Sequence, residues 1–277
     1  MGIESRLRRV EGRHNGLVKQ LRLAFSLGGL TDSGECAIEG LRVVEEAIRS
    51  GLRFHAVFFR ESSENLADRL LPQLGAQVET ILLPDRLFDS IMTSDSPQGV
   101  AALVRPKSFS MDHILERVQL GPIIVLAGLQ DPGNLGTILR SAEAFGSAGV
   151  ILGEGSVGPF NSKVVRASAG SIFRLPVVRE REDSQRESKK PSGVLPRLRT
   201  SGIRLIATSS HKGSPLGQAD LNRPCAIFFG NEGAGLPRDL MAEMDEFIVI
   251  PHSEQVESLN AGVAASIVLY EAAKQRG

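Results

Sequence analysis

Short, continuous apolar runs separated by helical patterns dominate the second half of the chain and most constrain its fold. "PIIVLAGL" (122–129), "GVILGEG", "RLPVV", "IRLIATSS", "CAIFFG" and "DEFIVIP" follow one another in this way. Apolar runs without alternation suit strands buried on both faces, the habit of parallel sheets covered by helices. "DPGNLGTILRSAEAFG", "SKVVRASAGSIF" and the closing "LNAGVAASIVLYEAAKQ" read as helices. About five or six strands alternating with helices predict a parallel α/β sheet with helices on both faces. Ligands of such sheets bind beyond the carboxyl ends of the strands, so chemistry is expected in the loops there.

The first half reads as a smaller α/β unit. "AIEGLRVVEEAI" carries a helical pattern stopped by Gly51, "FHAVFF" is a buried strand, "ENLADRLLPQLGAQVETILL" a helix then a strand, and "QGVAALVRP" a strand ending at Pro106. These runs divide the chain into residues 1–106, a helical link over 107–120, and 121–277. The stretch over 179–193, "REREDSQRESKKPSG", is polar and apolar-poor, the composition of an exposed, mobile insertion. Arg6, Arg8, Arg9, Arg13, Lys19 and Arg22 crowd the first segment, either as a solvated helix face or as a basic arm for phosphates.

Of 277 residues 42% are hydrophobic and 23% charged, as in soluble globular proteins, and the formal net charge is zero. No apolar run reaches bilayer length, and the first residues lack the apolar core of a secretory signal. Cys36 and Cys225 lie far apart, and no Cys/His spacing suits zinc. The expectation is a cytoplasmic protein with no metal and no membrane contact.

Three strand-end loops stand out. "IFFGNEGAGLP" (227–237) has three glycines around Glu232. Its glycine order, GxxGxG, is not the dinucleotide fingerprint, and Leu236-Pro237 follow where a P-loop needs Lys-Ser/Thr. A carboxylate in a glycine-rich loop suits a hydroxyl or a cation better than a phosphate. In the second loop Asp131-Pro132 start a turn, and Asn134 reads as a helix cap. Arg140 follows in a small-residue helix, as a surface, buried or interface side chain. In the third, "IPHSEQVESLN", Ser258 reads as a cap before a helix rich in small residues.

Together "NLGTILRSAEAFG", "FFGNEGAGL" and "IPHSEQVESLNAGVAASIVLYE" resemble the three motifs of the SpoU (TrmH) family of RNA ribose 2′-O-methyltransferases, in the same order. "SKVVRASAGSIFRLPVV" is similar to the family's intervening segment. "AIEGLRVVEEAI" resembles the family's L30e-like substrate-binding domain. The resemblance implies a SPOUT-type parallel sheet whose C-terminal chain forms a trefoil knot, behind a smaller L30e-like domain. It also implies a homodimer with the active site shared between subunits, and S-adenosyl-L-methionine as cofactor. By position it assigns cofactor contacts to Thr208, Gly230, Ile250 and Leu259, and catalysis to Asn134, Arg140, Glu232, Ser258 and Asn260. A guanidinium does not deprotonate in proteins, so Arg140 reads as a bidentate clamp on RNA, reaching in from the partner subunit. The implied substrate is structured RNA, ribosomal RNA ahead of transfer RNA. The rivals are a non-catalytic RNA-binding protein of this fold and a base methyltransferase; the intact polar set argues against the first, and the Asn-Glu-Gly and Ser-Leu-Asn signatures argue against the second.

Overall fold

The computed structural model describes residues 6–180 and 194–277. Most of the charged stretch at 179–193 lies outside the described residues. The chain forms two compact units, Met1–Ser108 with Gly158–Arg174, and Phe109–Val157 with Leu175–Gly277. Gly158–Arg174 thus packs with the first unit, although it lies between two strands of the second.

The first unit is built on a mixed sheet of β1 (Arg8–Arg9), β2 (Cys36–Glu39), β3 (Arg53–Arg60), β4 (Glu79–Leu83) and β5 (Val100–Arg105), in the order β1-β4-β3-β5-β2. β1, β4 and β3 are parallel; β5 runs antiparallel to β3 and β2. The Asn15 side chain accepts from the Leu17 and Val18 amides and starts the helix Gly16–Leu27, and Gly28 ends it in the left-handed region at φ 58°. Its Val18, Leu21 and Ala24 pack onto Phe58, Ile81, Phe88 and Leu103. The crowded basic segment is therefore not one helix face. Arg6 donates to the Leu71 and Gly75 carbonyls, Arg8 pairs with Glu79 at 3.3 Å, and Arg9 pairs with Glu11 and Glu61. At the end of β2, Glu39 is only 4% exposed. One carboxylate oxygen accepts from Ser94, and the other accepts from the Thr93 amide at 3.3 Å and lies 3.6 Å from Arg166 Nη1.

The second unit carries seven strands, all parallel: β6 (Ile123–Leu126), β7 (Gly149–Leu152), β8 (Val177–Arg179), β9 (Arg204–Ser209), β10 (Ser214–Pro215), β11 (Cys225–Phe229) and β12 (Glu246–Val249). The order β10-β12-β9-β11-β6-β7-β8 has one strand more than the apolar runs announce, the two-residue edge β10. Alternate residues of one face, Ile123 and Val125, Leu205 and Ala207, Ala226 and Phe228, form a single core with Met111, Ile114, Leu195 and Leu198. The linking segment thus contributes its helix Met111–Leu115 to this core. The helices Pro132–Ala144 and Ala261–Arg276 pack against each other. Small residues allow the approach: a Cβ on Gly262 would lie 3.2 Å from Thr137 Cβ, and the Ser141 and Ser266 hydroxyls are 2.7 Å apart.

Candidate active site at the carboxyl ends of the parallel strands

Because β12, β9, β11 and β6 are neighbours and parallel, the loops after them emerge side by side. The loops after β9, β11 and β12 enclose a cavity of about 740 Å³. Thr208, Gly230, Glu232, Ile250, Ser258, Leu259 and Asn260 all line it. Its wall includes Phe229, Leu236 and Ile248, and two carboxylates, Glu232 and Glu257; among the described residues no lysine or arginine lines it.

Asn134 lies in the first turn of the helix that follows β6 and joins the site through hydrogen bonds. Its Nδ2 donates to Glu232 Oε1 at 3.2 Å, and its Oδ1 accepts from Asn260 Nδ2 at 2.8 Å. The Asp131 amide also donates to Glu232 Oε1, at 3.4 Å. Both bonds fall on one carboxylate oxygen; among the described residues nothing donates to Oε2. Glu232 is braced yet exposed, with one acceptor oxygen open.

The caps are not where the sequence suggests. Asp131 caps the helix Pro132–Ala144, accepting from the Asn134 amide at 2.6 Å, and Pro132 occupies the first turn. Asn134 is thereby inside the helix, and its side chain is released to bridge two loops. Asn260, not Ser258, caps the last helix: its Oδ1 accepts from the Val263 amide at 3.2 Å. One amide therefore both caps and bridges.

Gly230 is glycine for a reason internal to the loop. Asn231 and Gly235 exchange two backbone hydrogen bonds of 3.0 Å, folding the loop back on itself. A Cβ on Gly230 would lie 2.2 Å from the Gly235 carbonyl carbon. This tight turn, and not only close approach to a ligand, excludes a side chain. Asn231 holds the turn. Its Oδ1 accepts from the Gly233 and Ala234 amides, and its Nδ2 donates to the Gly128 carbonyl at 2.9 Å. An asparagine entering a glycine-rich turn was the available signal. Thr208 donates its hydroxyl proton to the Phe228 carbonyl at 2.9 Å, and His252 Nδ1 donates to the Ile250 carbonyl at 2.6 Å.

Arg140 stands apart. It is exposed on the helix Pro132–Ala144, does not line the cavity, and has no hydrogen-bond or ion-pair partner among the described residues. It is thus a surface residue of the single chain, not a buried one. The same residues hold no cluster of His, Cys, Asp and Glu suited to a metal, and no helix long and apolar enough to cross a membrane.

Residues 121–270 match the SpoU rRNA Methylase family, and residues 37–110 match the RNA 2′-O ribose methyltransferase substrate-binding family. The chain belongs to the SpoU family and is an S-adenosylmethionine-dependent RNA methyltransferase. It is 36% identical to an uncharacterized tRNA/rRNA methyltransferase of Synechocystis, over 96% of this chain and 94% of the other. It is 29% identical to the 23S rRNA (guanosine(2553)-2′-O)-methyltransferase RlmP of Bacillus subtilis, over 95% and 98%. Among solved structures it is similar to the SpoU methyltransferase AviRb of Streptomyces viridochromogenes in complex with AdoMet, with TM-score 0.80, 28% identity, and 95% and 98% of the two chains covered. An AdoMet-bound rRNA methyltransferase from Sinorhizobium meliloti superposes at TM-score 0.80 and 26% identity, over 97% and 98%.

Proposed function

We propose that the enzyme methylates a ribose 2′-hydroxyl of structured RNA, with ribosomal RNA as the substrate. The observation that carries this reading is Glu232: one oxygen is fixed by Asn134 and Asp131, while the other accepts from no donor among the described residues. S-adenosylmethionine brings a methyl group on a sulfonium cation, which needs no metal and no redox partner. The cavity's lining fits such a group, with apolar walls for an adenine, two carboxylates for a cation, and, among the described residues, no lysine or arginine for a phosphate. Thr208, Gly230, Ile250 and Leu259 would hold it. Glu232, with Ser258 and Asn260, orients the hydroxyl and accepts its proton directly or through water. Asn134 keeps Glu232 in place.

We assign RNA capture to residues 1–106 and methyl transfer to 121–277, joined through 107–120, in a cytoplasmic enzyme. The loops around 230–237 and 250–260 would be threaded as a trefoil knot. The working form is a homodimer. Val263, Ile267 and Tyr270 form an apolar stripe one turn apart on the last helix, 48%, 37% and 57% exposed. Arg140, unpartnered in the single chain, would clamp RNA at the partner's site.

The test is in vitro methylation of ribosomal and transfer RNA followed by nucleoside analysis. A 2′-O-methylated nucleoside from ribosomal RNA is expected; a base-methylated product would overturn the reading. Mixing Arg140→Ala with Glu232→Gln tests the shared site. Activity absent from each alone returns in mixed dimers if the two residues serve one site from different subunits.

A further inference from the structure

We propose that the exposed face of the helix Gly16–Leu27, with Arg13 ahead of it, is a docking surface for the phosphate backbone of the RNA substrate. The helix precedes the matched residues 37–110, so the substrate-binding family does not account for it. The proposal rests on the RNA methyltransferase activity and narrows RNA capture within residues 1–106 to one helix face and its cations.

The cations of the first segment divide into two groups. Arg6, Arg8 and Arg9 are engaged by carbonyls and carboxylates of their own unit. Arg13, Lys19 and Arg22 are exposed and have no hydrogen-bond or ion-pair partner among the described residues. No Asp or Glu occurs between Glu11 and Asp32, so no acid on this stretch offsets them. A structural surface normally intersperses both signs, whereas a one-signed strip marks an electrostatic footprint. Lys19 and Arg22, three apart, are neighbours on the exposed side of the helix, Arg22 flanking the stripe of buried Val18, Leu21 and Ala24.

A second observation selects RNA among anionic partners. Leu23 and Leu27 lie on the same exposed side, 51% and 53% accessible, and Leu30 follows the helix at 47%. RNA offers both phosphates and the apolar faces of sugars and unstacked bases. A bilayer would require the helix's main apolar face, but that face is already packed into the core.

The test uses the full-length enzyme, with deproteinised ribosomal RNA as the probe. The triple variant Arg13→Glu, Lys19→Glu, Arg22→Glu changes only exposed side chains. RNA affinity should fall at least about tenfold, and the slope of log affinity against log salt should flatten by roughly 2. Thermal stabilisation by S-adenosylhomocysteine and turnover at saturating RNA should stay as in the parent. Unchanged affinity and salt slope, with normal cofactor binding, would overturn the surface and leave the enzyme's activity standing. Loss of binding only in Leu23→Ser, Leu27→Ser, or parent binding to phosphatidylserine vesicles lost in the triple variant without an effect on RNA, would also overturn it. A parent enzyme that neither bound nor methylated RNA would overturn both.

Discussion

Each unit holds a glutamate at or just beyond the end of a strand, and the two are treated in opposite ways. Glu39 is buried, and both its oxygens are occupied, by Ser94 on one side and by Thr93 and Arg166 on the other. Glu232 is exposed, and both its bonds fall on one oxygen. A buried carboxylate with both oxygens engaged stabilises a fold and offers a ligand little. One held from a single side is positioned but still reactive. On the proposed function, the contrast separates a scaffold glutamate from a catalytic one.

The largest test of this contrast is Glu232→Gln. It should lower single-turnover methyl transfer by about 10²–10⁴-fold, since an amide cannot take the proton. Stability should move by less than about 0.5 kcal/mol, as for other exposed sites. Near-normal turnover would reduce Glu232 to a positioning group. Glu39→Ala should do the reverse. The half-buried Ser94 hydroxyl and the Thr93 amide lose a buried, charged acceptor, costing about 1.5–3 kcal/mol, the range for hydrogen bonds to an ionised group. A lower urea midpoint at unchanged slope would record it, with methyl transfer by the folded enzyme unaffected. If instead transfer fell as in Glu232→Gln, the division between the two glutamates would be wrong.

Asp131→Ala should cost about 1 kcal/mol through the lost helix cap, whereas Asp131→Asn should keep most of it. Calorimetry of the pair sharpens the contrast, because Asp131 serves the scaffold by its side chain and the site by its amide. The smallest effect concerns the thiols, where the two units behave alike. Burial pushes Cys36 up to about 12, and burial raises Cys225 too. Neither should be alkylated in the folded enzyme near pH 8, and both should react once it is unfolded. For Cys36 the folded pKa exceeds the unfolded one. Its contribution to stability is therefore complete below the unfolded value and is lost as pH rises toward 12. Native alkylation followed by mass spectrometry would check this.

The parallel sheet was legible because strands buried on both faces write their apolar runs plainly into the sequence, as in Ile123–Leu126 and Cys225–Phe229. Short strands were not. Cys36–Glu39 is four residues long and merged with the helix that follows, and Ser214–Pro215 has no apolar residue pattern at all. Three strand-end loops stand out by residue type, and seven of the nine residues that the family resemblance assigns to the site line one cavity. Who caps and who bridges could not be read from residue types, because Asn and Asp compete for the same role over three positions and only geometry decides. Hence Asn134 and Ser258 looked like caps, while Asp131 and Asn260 are the caps. Arg140 could not be placed from its apolar neighbours, since a helix shows both a buried and an exposed side within one turn.

Asn260 joins two processes that enzymes usually keep separate. Its oxygen closes the first turn of the last helix, and its nitrogen fixes Asn134, which in turn fixes Glu232. The rotation that caps the helix is thus the rotation that aims the amide. Formation of the last helix therefore completes the Asn134 brace on Glu232, beside the one that the Asp131 amide supplies. Asn260→Asp would dissect the two, preserving the cap while removing the donor. Such a protein would reach its final shape and still be unfinished.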